Sequence, residues 1–259
     1  MNTQEKIKKI NAMKGREKIA MLTTYDFVTA TYLNEAGIEI GLVGDSVGNV
    51  LLGYKNTQPV TMAEMLHHTS AVARANPKFL LVGDMPNGSY STPKLALENA
   101  KKFVVAGAEA VKVEGAVIDV VEKIVAADIP VMGHVGLLPQ SIVDWKVQGK
   151  DEASAKKILE DALALEQAGC FSLIIETVPA VLGKKITDSV SIPAIGIGAG
   201  PDCDGQVLVI NDLLGFNAKD FSPRFVKKYA DLKPQVLDAL KNFKKEVREK
   251  KFPGKENSY

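Results

Sequence analysis

Two apolar patterns alternate along this chain. Short apolar runs at 18–23, 39–43, 79–83, 110–113, 130–133, 172–175, 193–195 and 207–210 are too short for a buried helix and read as buried strands. Between them lie longer stretches in which apolar residues recur every three or four positions. Met62, Met65, Leu66 and Val72 share one helical face with Thr69. Thr61 and Glu64 form the Thr-x-x-Glu capping box that opens this helix, and Pro77 closes it after Asn76. Thr92 and Pro93 take the N-cap and first positions of the next helix, which runs to Ala106 and stops at Gly107. Further helices are expected from Thr3 to Met13, from Asp26 to Ala36, near 117–127, from about Asp151 to Ala168, and near 180–189. Pro234 is expected to break the last helices, between Arg224 and Glu249, where Val236, Leu237, Leu240, Phe243 and Val247 form one apolar face.

The strands and helices make eight units, and no linker rich in Gly, Pro or Ser divides them. That count and a length of 259 residues predict an α/β chain with one (β/α)8 TIM barrel over 1–259. The N-terminal helix would close the barrel bottom or make a subunit contact. The C-terminal helices form an extension, and 250–259 a loose tail. A doubly wound open sheet is the alternative, but it usually has fewer strands and a single ligand crevice.

Polar residues and glycines collect where these strands end. Asp45 and Ser46 follow Val43-Gly44, Asp84 follows Val82-Gly83, Glu114 closes the next run, and His134 and Glu176 close two more. Parallel strands in a barrel bring such ends to one mouth. Each acid alone could be a helix cap or an ion-pair partner. Three carboxylates at successive strand ends (Asp45, Asp84, Glu114) would repel one another unless a cation neutralised them. Their all-oxygen character favours magnesium over zinc. Lys112 stands two residues before Glu114 and so on the same side of its strand. It could pair with the carboxylates, bind a substrate anion or form a Schiff base. His134 could serve substrate binding, acid catalysis or structure. Glu176 is either a general base or the cap of the helix after Pro179. Gly196 to Gly200 lacks the lysine of a phosphate loop and reads as a tight turn.

Composition narrows the classes. The chain is 46% hydrophobic, and 32 basic against 31 acidic residues leave a net charge of +1, which gives no support to nucleic-acid or anionic-membrane binding. Cys170 and Cys203 show neither metal nor disulfide spacing. The polar N-terminus has no signal-peptide core, and no apolar run reaches membrane-spanning length, so a cytoplasmic protein is expected.

Several segments carry a more specific signal: MLTTYDF (21–27), GDSVGNVLLGYKNTQPVTMAEMLHHTSAVARA (44–75), GDMPNGSY (83–90), AVKVEG (110–115), GHVGLLPQ (133–140), KVQGK (146–150), GIGAGPDCDGQ (196–206) and PRFVKKYADL (223–232). With them the chain resembles the ketopantoate hydroxymethyltransferase family of pantothenate biosynthesis. The resemblance implies a barrel that carries Mg2+ and transfers a one-carbon unit from 5,10-methylenetetrahydrofolate to 3-methyl-2-oxobutanoate through a stabilised enolate. It implies metal binding by Asp45, Asp84 and Glu114 and keto-acid binding by Asp45, Ser46, Asp84 and Lys112. It makes Glu176 the proton acceptor and places His134 near the substrate. It also implies a homo-oligomer, usually a decamer of two pentameric rings. Asn87, Leu138 and Trp145 depart from the family pattern, where an aromatic residue, Thr and Tyr are expected. The nearest alternative is the isocitrate lyase and phosphoenolpyruvate mutase type of 2-oxo-acid barrel. Its lyases use a cysteine in a Lys-Lys-Cys-Gly-His motif, and neither cysteine of this chain lies in that setting.

Overall fold

The structure is a computed structural model that describes residues 1–141, 146–218 and 223–259. Trp145 lies outside the described residues. Eight parallel strands, β1 (Ile19–Thr23), β2 (Ile40–Val43), β3 (Leu80–Asp84), β4 (Ala110–Lys112), β5 (Val131–Gly136), β6 (Ser172–Glu176), β7 (Ala194–Ile197) and β8 (Gly205–Leu208), close in sequence order into a barrel. The register runs from Met21 opposite Ile40 round to Ile19 opposite Gly205. The chain is therefore a (β/α)8 TIM barrel. The helices are α1 (Thr3–Met13), α2 (Phe27–Ala36), α3 (Val47–Val50), α4 (Met62–Ala73), α5 (Pro93–Val105), α6 (Ile118–Val125), α7 (Glu152–Gln167), α8 (Ala180–Ser189), α9 (Ile210–Leu213) and α10 (Leu232–Arg248).

The capping signals act where the sequence places them. The Thr61 hydroxyl accepts from the Glu64 backbone N–H while the Glu64 carboxylate accepts from the Thr61 N–H, which satisfies two orphan donors at the start of α4. Asp26 and Thr92 cap α2 and α5 by accepting from the backbone N–H groups of Thr29 and Leu95, Pro93 stands in the first turn of α5, and Gly37 ends α2 in the left-handed conformation.

The lower part of the barrel is apolar. Ile19, Met21, Ile40, Leu42, Leu80, Val82, Ala110, Met132, Ile174, Ile195 and Val207 form one buried cluster, and Ile7, Ile10 and Met13 of α1 belong to it. The first helix therefore closes the bottom. It is pinned there by Lys6, whose ammonium donates to the carbonyls of Pro77 and Phe79 and meets Glu109 at 2.7 Å. An apolar floor leaves the mouth as the place where buried polar groups gather.

Four expectations change. The eighth strand is Gly205–Leu208, two residues earlier than the apolar run suggests, because Gly205 and Gln206 carry the pairing to β7 and β1. The loop after β2 holds the single turn α3, which has no side-chain cap to announce it. β5 continues past Gly133 to Gly136, so His134 lies within a strand and not at its tip. Pro234 does not break a helix. Asp231 is the N-cap of α10, so the proline falls in the first turn, where its missing N–H costs no helical bond, and residues 223–231 form no helix.

The barrel is complete within Met1–Val209, and Ile210–Tyr259 make a second compact unit. In that unit Tyr229 and Leu232 donate backbone N–H groups to Leu213 and Leu214, and Phe243 meets Phe252 edge to face at 5.6 Å. The apolar face of α10 is exposed. A short 3-10 turn spans Lys255–Asn257. Among the described residues no helix is long and apolar enough to cross a membrane.

Candidate active site

Six charged side chains from consecutive strands meet at the barrel mouth. Asp45 follows β2, Asp84 ends β3, Lys112 ends β4 with Glu114 two residues on, His134 lies in β5 and Glu176 ends β6. All six are buried. The Asp45 backbone N–H donates to Asp84 Oδ2 at 3.1 Å. Lys112 Nζ donates to Asp84 Oδ1 and Oδ2 at 2.8 and 3.0 Å and to Glu114 Oε1 at 3.4 Å. His134 Nδ1 lies 3.3 Å from Glu114 Oε1, and its Nε2 lies 3.3 Å from Glu176 Oε2. Neither ring nitrogen is aligned for a hydrogen bond, so these two are ionic contacts. A line of alternating charge thus runs from Asp84 at β3 to Glu176 at β6, and Asp45 after β2 joins it through its backbone N–H.

Ser46 stands beside this line, and its Oγ lies 2.8 Å from the hydroxyl of buried Tyr25. Glu176 does not cap α8; the N-cap is Pro179, without a side-chain bond. It faces His134 instead. The backbone turns sharply beyond it, with Thr177 at φ 50°, a left-handed conformation that is strained by about 1–3 kcal/mol for a β-branched residue. Gly136 faces this corner at φ 98°, and a Cβ there would stand 2.2 Å from the Glu176 carbonyl oxygen. Gly136→Ala should therefore destabilise the barrel by more than about 1 kcal/mol, and urea unfolding of the purified variant checks this.

Burial sets the electrostatics of the site, and the neighbours then sort the acids. Burial, with Asp84 close by, pushes the Asp45 carboxyl well above the usual range. Burial also raises Asp84, against the pull of Lys112. Glu114 goes the other way, to about 2, because Lys112 and His134 outweigh its burial. Burial alone would lower Lys112, but Asp84, Glu114 and Asp45 together hold it above its ordinary value and keep it an ammonium. His134, also opposed by burial, is raised to about 9 by Glu114.

A histidine raised in the folded state adds stability below its unfolded value and loses it as pH rises through the folded value. The His134 contribution should be complete below pH 6.5 and gone above about 9. The difference in melting temperature between the ligand-free parent and His134→Gln should shrink across that window. A pH-independent difference would show that His134 is not charged in the folded chain.

The structure places Asp45, Ser46, Asp84, Lys112, Glu114, His134 and Glu176 at one mouth, but not as a ready-made metal cage. Among the described residues no three Asp, Glu, His or Cys side chains converge closely enough to hold an ion by themselves. Lys112 lies between Asp84 and Glu114, and His134 draws Glu114 toward Glu176. Two residues of the site were not singled out: Gln140, whose amide nitrogen donates to Asp45 Oδ2 at 2.9 Å, and Tyr90, whose hydroxyl donates to the Gln140 amide oxygen at 2.5 Å. Both lie in the segments quoted above, yet no spacing rule marks them, because they reach the site from loops.

Similarity to known proteins identifies the family. The family profile described as ketopantoate hydroxymethyltransferase matches residues 4–255. The 3-methyl-2-oxobutanoate hydroxymethyltransferase of Ignicoccus hospitalis is 54% identical over 247 residues, 93% of this chain and 93% of that protein. The enzyme of the same name from Syntrophomonas wolfei is 52% identical over 253 residues, 95% and 91% of the two chains. Among solved structures, a phosphonopyruvate hydrolase in complex with oxalate and Mg++ superposes with a TM-score of 0.67 at 12% identity, covering 99% of this chain and 93% of that one. A 2,3-dimethylmalate lyase gives 0.66 at 14%, covering 98% and 90%. These distant structures share the barrel. The sequence matches go further, and by them the chain belongs to the ketopantoate hydroxymethyltransferase family.

Proposed function

We propose that this chain transfers a hydroxymethyl group to C3 of 3-methyl-2-oxobutanoate, with 5,10-methylenetetrahydrofolate as the one-carbon donor and a magnesium ion in the site. The observation that carries this reading is the buried line of charge from Asp45 to Glu176, taken with family membership. It puts two acids and a buried ammonium on one side of the site and a further carboxylate, held by His134, on the other.

The donor set fits the cation. Asp45, Asp84, Glu114 and Glu176 outnumber the one ammonium and one imidazolium they face, and burial raises Asp45 and Asp84, so a divalent cation would offset the cost of ionising them. The oxygens are of the kind magnesium takes, and magnesium commonly uses one or two carboxylates with water and substrate completing its shell. Asp45 and Asp84, the two acids that burial raises, would hold it, with Glu114 as the third acid of the network. When bound, the cation would polarise the keto oxygen and offset the charge that develops on deprotonation, a contribution of several kcal/mol.

The chain's own residues supply the remaining steps. Lys112 is a buried cation suited to the substrate carboxylate, and Ser46 can donate its hydroxyl there while accepting from Tyr25. Glu176 sits four strands from Asp45 round the closed barrel. From there it takes the proton of C3. The electron pair of the broken C–H bond forms the bond to the methylene carbon, both C–N bonds of the donor break, water gives its O–H to that carbon, and its other proton and the one taken by Glu176 go to the two folate nitrogens. His134 holds Glu176 from one side and keeps the other face of its carboxylate for substrate. The homo-oligomer implied by the resemblance belongs to the same proposal, supported by the exposed apolar face of α10.

Turnover of 3-methyl-2-oxobutanoate with 5,10-methylenetetrahydrofolate, measured with and without EDTA, tests the reading. Turnover that EDTA abolishes and magnesium restores is expected; no turnover at all would sink it.

Lys112 is an ion-pair partner and not a Schiff-base nucleophile, because its ammonium donates to Asp84 and Glu114 and is held protonated. Borohydride added in the presence of the keto acid should leave the mass of the chain unchanged. A stable adduct on Lys112 would overturn that role.

A further inference from the structure

We infer that Gln140 is a positioning residue for the metal-ligand oxygen of Asp45, and that Tyr90 locks the Gln140 amide in the orientation this requires. The inference rests on the proposed magnesium site.

Gln140 reaches the mouth from the loop after β5 and is 3% exposed. Both N–H donors and the oxygen of its side-chain amide are engaged. The nitrogen donates to Asp45 Oδ2 at 2.9 Å and to the Met85 carbonyl at 3.0 Å. The oxygen accepts from the Tyr90 hydroxyl at 2.5 Å. The Gln140 backbone N–H also donates to Glu114 Oε2 at 3.0 Å, and the Glu114 backbone N–H donates to the Tyr90 hydroxyl oxygen at 3.3 Å. One residue thus ties the acid that follows β2, the acid that follows β4 and the loop after β3.

An amide could in principle face Asp45 with either end. Here the choice is forced. A phenol that donates must meet the amide oxygen, and the Met85 carbonyl must meet the amide nitrogen. The nitrogen is then the group beside Asp45. It neutralises part of the charge on Oδ2 and fixes the rotation of the carboxylate. Oδ1 is left as the oxygen available to a ligand. This is the work of an outer-shell partner in metal sites, whose loss typically weakens metal binding by 10- to 100-fold. Nothing in the proposed chemistry brings Gln140 to the substrate carbon, so its loss should act on the ion and not on the proton step.

The test is direct Mn2+ binding, followed by electron paramagnetic resonance of the free ion, on the full chain without substrate. The variants are Gln140→Leu, Tyr90→Phe and Asp45→Asn. Gln140→Leu should raise the Mn2+ dissociation constant by about 10- to 100-fold, and Tyr90→Phe should raise it less, in the same direction. At saturating metal, kcat for Gln140→Leu should return close to the parent value. Unchanged Mn2+ affinity in Gln140→Leu, with Asp45→Asn weakened as expected, would overturn this inference alone. If Gln140→Leu fails to fold, Tyr90→Phe, which deletes one hydroxyl, decides by the same readout. A kcat that stays low at saturating metal would place Gln140 in the chemistry and overturn the positioning role. Parent-like Mn2+ binding by Asp45→Asn would overturn the metal reading itself, and the inference with it.

Discussion

Asp45→Ala is expected to lose turnover by about 1,000-fold or more without losing the fold, and Asp84→Ala is expected to lose turnover as severely at a visible cost in stability. The turnover loss follows from the cation. A bound metal contributes several kcal/mol to a reaction of this kind, and each 1.4 kcal/mol is about tenfold in rate. The two acids then part company on stability. Burial raises the Asp45 carboxyl, so its ionised form opposes folding at neutral pH; relief of that charge offsets the loss of the Gln140 hydrogen bond, and the melting temperature of the metal-free protein should change little. Asp84 is the two-oxygen partner of Lys112. Its removal leaves that buried ammonium with Glu114 alone, and breaking such a pair costs up to about 3–5 kcal/mol. Activity at limiting magnesium and thermal melts of both variants check the pair of outcomes. Near-parent activity in either variant would remove that carboxylate from the site.

Glu176→Gln is expected to lower turnover by about 100- to 10,000-fold, the range of a positioned general base. The substitution keeps the size of the side chain and its reach toward His134, and removes only basicity. Binding of the keto acid and of magnesium should change little, since neither passes through Glu176. His134→Ala is expected to be milder. The ring touches Glu114 and Glu176 on its two sides and orients them, so its loss loosens the base without removing it. The reverse order of severity would assign the proton step to His134.

Much of the barrel was legible because its strands are short, apolar and closed by acids that cannot be buried without a reason. Asp84 and Glu176 stand at the ends of β3 and β6, as their place after an apolar run suggests. Glycine was the less faithful guide. Gly83 lies inside β3, where the Phe103 ring leans on the strand so closely that a Cβ would meet it at 2.4 Å. A glycine after an apolar run thus marks close packing by a helix as readily as a strand end. That is why β5 was expected to stop at Gly133 and His134 to sit at a tip. Pro234 shows a similar limit, since one residue breaks a helix or opens it according to where the helix begins, and α10 begins at Leu232. The line of ion pairs and the Gln140–Tyr90 clamp were not legible from spacing. They join residues as many as 95 positions apart, and only closure of the barrel brings them together.

The central claim is that this site removes the proton from C3 of 3-methyl-2-oxobutanoate, with Glu176 as the base and a divalent cation beside the keto oxygen. The most direct measurement is hydrogen–deuterium exchange at C3 in heavy water, followed by proton NMR with no folate present, so that the proton step stands alone. The account predicts exchange by the parent with magnesium, loss of exchange on adding EDTA, and loss of exchange in Glu176→Gln at saturating magnesium. Exchange at the parent rate in Glu176→Gln, or in the parent after complete removal of metal, would contradict it.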